Sequence, residues 1–253
     1  MKINIHIIFS FKYFISYSFI LQSLMILGSL HISTENYIYQ IKNFDTCCQQ
    51  PFFSLMMESF PLKPTYKLPL DLLYCSESIV SLPDFIKSQP NRQTSQNSGN
   101  NSFTIQLATK LLYSIYSQIQ LLFENNIAIS FIDFQDIMVI DNSHFFFCNC
   151  DKLYPIKKNN RIVITDFYDV INPFLPPEFL TNIRMPFPTY YTSAYYSLAI
   201  VILSCLHGDE SGKSVSKHSK HSTILQNYQH TKIYQTLLTC LVYEPTERNP
   251  ILF

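Results

Sequence analysis

Residues Leu121 to Leu153 read LLFENNIAISFIDFQDIMVIDNSHFFFCNCDKL. The stretch opens on the end of a helical pattern. From Phe103 to Phe123, the residues Leu107, Leu111, Leu112, Ile115, Ile119, Leu122 and Phe123 recur at the spacing that lines one face of an α-helix. Glu124-Asn125-Asn126 interrupts the pattern and ends it. Two short apolar runs follow, Ile137 to Ile140 and Phe145 to Phe147, joined by Asp141-Asn142-Ser143. Asn and Asp tolerate the backbone of tight turns, so the two runs read as a β-hairpin. Acidic residues gather here: Asp133, Asp136, Asp141 and Asp151.

Working outward, two polar stretches punctuate the chain. Ser88 to Ser102 is rich in Gln, Asn and Ser, and Gly208 to Ser222 in Ser, Lys and His; both read as loops. His207, His218 and His221 invite a metal reading, but their polar setting favours a solvated loop. Helices are expected from Ser193 to Leu206 and from Ile233 to Val242, the second followed by Pro245. The order from Phe103 onward is long helix, loop, hairpin, long irregular segment, helix, helix. At the N-terminus, Ile3 to Leu30 is apolar, interrupted by Lys12 and several serines. Ile3, Ile5 and Ile7 alternate with polar residues, which favours a strand or buried helix; the competing reading is a membrane segment.

Composition narrows the function classes. A chain of 253 residues is long enough for one domain or two small lobes. With 47% hydrophobic and 14% charged residues it is globular rather than disordered. The 18 basic and 18 acidic residues balance, so no basic surplus argues for nucleic acid. Gly28, Gly99, Gly208 and Gly212 are the only glycines, so neither a G-x-G-x-x-G cradle nor a G-x-x-x-x-G-K-[ST] loop is present. Seven cysteines, an odd number, form no disulfide framework. Cys148-Asn149-Cys150 lacks the second ligand pair that a zinc site needs. Reduced, buried cysteines and an intracellular, cytoplasmic location follow as expectations.

This order, with its residues, resembles the larger lobe of protein kinases. The family's catalytic loop is H-R-D with an Asn five residues after the Asp. Placing Asp136 at that Asn puts Ile129-Ser130-Phe131 under H-R-D, and without a gap the D-F-G turn falls on Asn149-Cys150-Asp151. Pro176-Pro177-Glu178 resembles the A-P-E motif, and Ser193 to Ala199, SAYYSLA, the start of the helix after it. Leu237 to Pro250, LLTCLVYEPTERNP, resembles the ending D-P-x-x-R-P and retains Pro245 and Arg248. The resemblance implies a buried ion pair between Glu178 and Arg248. Upstream the likeness is weaker. Leu70 to Lys87 resembles the last small-lobe strand, the hinge and a short helix. Tyr37 to Lys42 resembles the strand that carries the ATP-contacting lysine, which would be Lys42, with Glu58 on the helix Phe52 to Phe60 as its partner. The plain alternative is a solvent-facing Lys42 at a strand end.

The departures bear on chemistry. In the family an Asp orients the attacking hydroxyl, an Asp and an Asn hold magnesium, and a Lys contacts the phosphates. On the ungapped alignment the first Asp is Phe131, which accepts no proton, and the D-F-G Asp is Asn149, a neutral and weaker magnesium ligand. A loop shortened by two residues would instead make Asp133 the catalytic base, with Asp136 or Asp151 on the metal. The structural alternative is that Asp133 and Asp136 hydrogen-bond backbone amides of their own loop.

The resemblance thus implies an α+β, bilobal protein-kinase-like fold. Residues 1–75 would form a divergent β-rich N-lobe with an apolar segment over 1–30. Residues 76–102 would form hinge, short helix and polar loop, and 103–253 a mainly helical C-lobe. The implied site is Asp133 for catalysis, Lys42, Glu58 and Asp136 for ATP, and Asp136, Asn149 and Asp151 for Mg2+. The expected function is a catalytically impaired pseudokinase acting as a scaffold for a protein partner, without nucleic acid. The alternatives are a divergent active ATP-dependent Ser/Thr kinase and a helical protein tethered to a membrane by its apolar N-terminus.

Overall fold

The computed structural model describes residues 29–32, 37–41, 52–63, 66–67, 72–88, 103–182, 184–208 and 218–250. Within them the chain is mixed α/β, its strands confined to small antiparallel sheets. Strands β1 (Ser29–Ile32) and β2 (Tyr37–Ile41) pair with each other. After helix α1 (Phe53–Glu58), strands β3 (Tyr66–Lys67) and β4 (Leu72–Ser76) complete a four-stranded sheet of order β1-β2-β4-β3. The strand expected from Tyr37 is therefore present, but Lys42 lies outside the described residues, as do Ile3, Ile5 and Ile7 and the polar stretch beyond Ser88. Among the described residues no helix is long and apolar enough to cross a membrane.

Strand β5 (Ile79–Ser81) leads directly into α2 (Leu82–Ser88), whose first turn is tied by Asp84 and Ser81: the Asp84 amide donates to Ser81 Oγ, which donates in turn to the Asp84 carboxylate. Helix α3 (Ile105–Glu124) follows. Thr104 caps it by accepting from the Leu107 amide. Ala108, Leu111, Leu112, Ile115, Ile119 and Leu122 form its buried stripe, and Gln118 lies on the same stripe. The helix stops where Asn126 takes a left-handed φ of 60°.

Strand β6 (Ile127–Ile129) and the hairpin β7 (Ile137–Ile140) and β8 (His144–Phe147) come next. The hairpin turn places Asp141 and Asn142 at φ 49° and 56°, a region these two residue types tolerate. β5 pairs with β7 to give the sheet β5-β7-β8, which lies against α3. The segment read as irregular contains three strands and a helix. β9 (Leu153–Pro155) pairs with β6, and β10 (Arg161–Ile164) with β11 (Phe187–Tyr190), on either side of α4 (Pro177–Thr181). These strands are only three or four residues long, too short for a pattern to stand out in the sequence, so their pairing is set by tertiary contact.

Helix α5 (Ser193–His207) is buried on every side from Ser193 to Leu206, which makes it the axis of the larger core. Gly208 ends it at φ 71°. Helix α6 (His218–Gln226) corrects the reading of Gly208 to Ser222 as loop throughout. Ile224 and Leu225 are buried at its end, and the Tyr228 hydroxyl donates to Leu206 O, so packing against α5 overrides a Ser, His and Lys composition. Helix α7 (Lys232–Cys240) closes the bundle with Ile233, Thr236, Leu237 and Cys240 inward. A second, smaller core holds Ala128, Phe131, Tyr154, Ile162, Ile164, Leu175, Phe179 and Phe187.

Candidate functional site, a lysine-bridged acidic pair

The loop between β6 and β7 is built by its own acidic side chains. Asp133 Oδ1 accepts from the Gln135 amide at 2.8 Å, and Asp136 Oδ2 accepts from the Asp133 amide at 2.8 Å, a reciprocal cap around the short turn Phe134–Asp136. Asp136 is 2% exposed. Its other oxygen accepts from Asn149 Nδ2 at 2.7 Å, while Asn149 Oδ1 takes the Asp151 amide at 3.1 Å. Asn149 thus presents an N–H, not an oxygen, to the carboxylate.

Strand pairing brings in a cation. Ile129 lies opposite Leu153, and the Ser130 amide donates to Lys152 O at 2.9 Å. That register places Lys152 Nζ 2.9 Å from Asp133 Oδ2 and 2.5 Å from Asp136 Oδ2. The ammonium also lies 3.8 Å from the centroid of the Phe131 ring. Asn172 Nδ2 donates to Asp133 Oδ2 at 3.2 Å, so a residue of the loop before α4 closes the cluster.

The charges perturb one another. Burial pushes the Asp136 carboxyl up to about 6, with Lys152 pulling it down and Asp133 pushing it further up. Burial alone would lower Lys152, but the carboxylates of Asp136 and Asp133 outweigh it and hold the ammonium above the usual lysine range. Next to them, burial pushes the Cys148 thiol up, so it stays protonated and donates to Asp136 O.

The remaining sequence-expected residues fall in different places. Glu58 is the last residue of α1 and is exposed. The same helix reaches the Asn149 turn through Met56, whose Sδ lies 3.6 Å from Cys150 Sγ. Asp151 is exposed. Asp141 faces the segment Ser76 to Ser78 rather than the acidic pair. Glu178 and Arg248 meet in a two-pronged ion pair, Nη1 to Oε1 and Nη2 to Oε2, both at 2.7 Å. Arg248 is 3% exposed and also donates to Val242 O and Tyr243 O, with its guanidinium over Tyr196.

A divalent ion bound as the ungapped alignment implies would take oxygens from Asp136 and Asn149. Asn149 turns its N–H inward, Asp151 stays outside, and the Lys152 ammonium already lies between Asp133 and Asp136. Among the described residues no group of three or more His, Cys, Asp or Glu is disposed to hold a metal ion. Sequence reasoning did not single out Lys152 or Asn172. Neither carries a motif, and each meets Asp133 only because the chain folds back on the loop. A search of protein-family models and of curated proteins finds no match to this chain.

Proposed function

We propose that the chain is a catalytically impaired, protein-kinase-like protein that acts as a scaffold for a protein partner. The observation that carries this reading is Lys152, whose ammonium bridges the two carboxylates that a phosphoryl-transfer site would keep for a hydroxyl or a metal. Phe131, at the position the ungapped alignment assigns to the base, packs its ring on Phe179 and under Lys152, a role of packing rather than proton transfer. The Glu178–Arg248 pair supports the likeness to the helical lobe, because it joins the two motifs that carry the resemblance. Such a pair holds the fold whether or not chemistry persists.

The test is nucleotide binding and transfer by the full chain. Thermal melting with and without millimolar ATP and Mg2+ is expected to coincide, and incubation with labelled ATP to give no phosphorylated product. Magnesium-dependent phosphorylation abolished by Asp133→Ala would overturn the reading in favour of an active Ser/Thr kinase.

A further inference from the structure

The loop between β10 and α4 carries an unusual concentration of exposed apolar surface. Phe167 is 95% exposed, Ile171 79% and Val170 61%. Isolated exposed apolar residues are ordinary, but three within five positions form a patch. The loop that carries them is fastened. The Tyr168 hydroxyl donates to Phe179 O at 2.7 Å and to Asn182 O at 3.1 Å, and its ring packs edge-on against Phe179 and Phe187. Asp169 Oδ1 accepts from the Ile171 amide, and Asn172 reaches Asp133. Tyr168 and Asn172 therefore point inward while Phe167, Val170 and Ile171 are held outward.

Charge identifies what fits. Asp166 and Asp169 flank the apolar residues and are exposed, and neither has an ion-pair partner among the described residues. Asp166 accepts from the Tyr154 hydroxyl at 2.7 Å, which orients its carboxylate at the loop's edge. A second copy meeting this loop face to face would set like charges together. We infer that residues 166–171 form a preordered docking element for a protein partner that offers an apolar cleft rimmed by Lys or Arg. This deepens the scaffold reading and rests on it for the expectation of a partner.

A random peptide display library panned on the full chain, counter-selected on the Phe167→Ser/Ile171→Ser variant, tests it. The expected survivors interleave Lys or Arg with large apolar residues. Synthetic versions should bind Asp166→Asn/Asp169→Asn about ten-fold or more weakly, since that variant keeps the local hydrogen bonds and removes only charge. Far-UV circular dichroism confirms that both variants stay folded. The inference is overturned if no sequence survives counter-selection, if survivors are acidic or uncharged, or if sedimentation shows a dimer that the Phe167→Ser/Ile171→Ser variant dissolves. The nucleotide experiment is independent: phosphorylation would overturn the scaffold reading, whereas failed panning overturns only the loop.

Discussion

One ammonium between two carboxylates leaves the cluster of Asp133, Asp136 and Lys152 one charge short of neutrality at neutral pH. Coulomb attraction to Lys152 offsets part of the cost of removing the Asp136 carboxylate from water, and the rest is relieved when Asp136 takes a proton. Its folded pKa of about 6 exceeds the ordinary aspartate value of 3.8, so the group contributes stability that is fully present below 3.8 and lost as pH rises through about 6. Lys152 keeps its proton across this window and adds no slope. The stability of wild type minus that of Asp136→Asn should therefore rise as pH falls from 7 to 4, by about 2 kcal/mol. Urea titrations of both proteins at several pH values measure it, and a difference that is flat or falls on acidification refutes the coupling. At Arg248 the expected effect is larger. Arg248→Ala strands the Glu178 carboxylate and should cost about 3–5 kcal/mol. Arg248→Lys should recover less than half, because an ammonium cannot match both carboxylate oxygens and two carbonyls with one planar fork.

Helix α3 and the strand β8 are joined by a side chain acting as backbone. Gln118 Nε2 donates to Phe147 O and Gln118 Oε1 accepts from the Phe147 amide, each at 2.9 Å and buried. The strand edge is thereby satisfied where, among the described residues, no further strand pairs with it. Gln118→Leu would keep the volume and orphan both groups, at a cost of about 2–4 kcal/mol in chemical denaturation. A neutral effect would mean that water replaces the amide. This contact was partly legible beforehand: Gln118 falls on the same helical stripe as Leu111, Ile115 and Leu122, and a polar residue there requires a partner. The helix and the hairpin were legible for the same reason, since a long amphipathic pattern and an Asp-Asn turn are local signals. Lys152 was not. Its role depends on β6 pairing with β9, and three-residue strands leave no periodicity to read. Helix α6 was hidden by a composition that only the burial of Ile224 and Leu225 explains.

At the scale of the whole molecule, the sheet β1-β2-β4-β3 continues into the rest of the chain through Ser76, Glu77 and Ser78. Asp141, from the hairpin turn, fastens that link. Its Oδ1 accepts from Ser76 Oγ at 2.6 Å, from the Glu77 amide at 2.9 Å and from the Ser78 amide at 3.3 Å, while its own amide donates to Ser78 O at 2.8 Å. A carboxylate that accepts from three donors holds a chain crossing far more firmly than a neutral contact does. The turn is therefore tied at once to the strand it ends, to β5 and to the junction with the first sheet. Removing the carboxylate should loosen the junction without melting the core, because the apolar contacts of α3 and α5 do not include it. Asp141→Ala is thus expected to be cut faster by a Glu-specific protease after the exposed Glu77, by about thirty-fold if two of the three bonds contribute about 1 kcal/mol each. Hydrogen exchange in α3 and α5 should stay within error of wild type. Uniformly faster exchange across both helices would instead make Asp141 part of one cooperative unit and remove the distinction between a fastened junction and a single core.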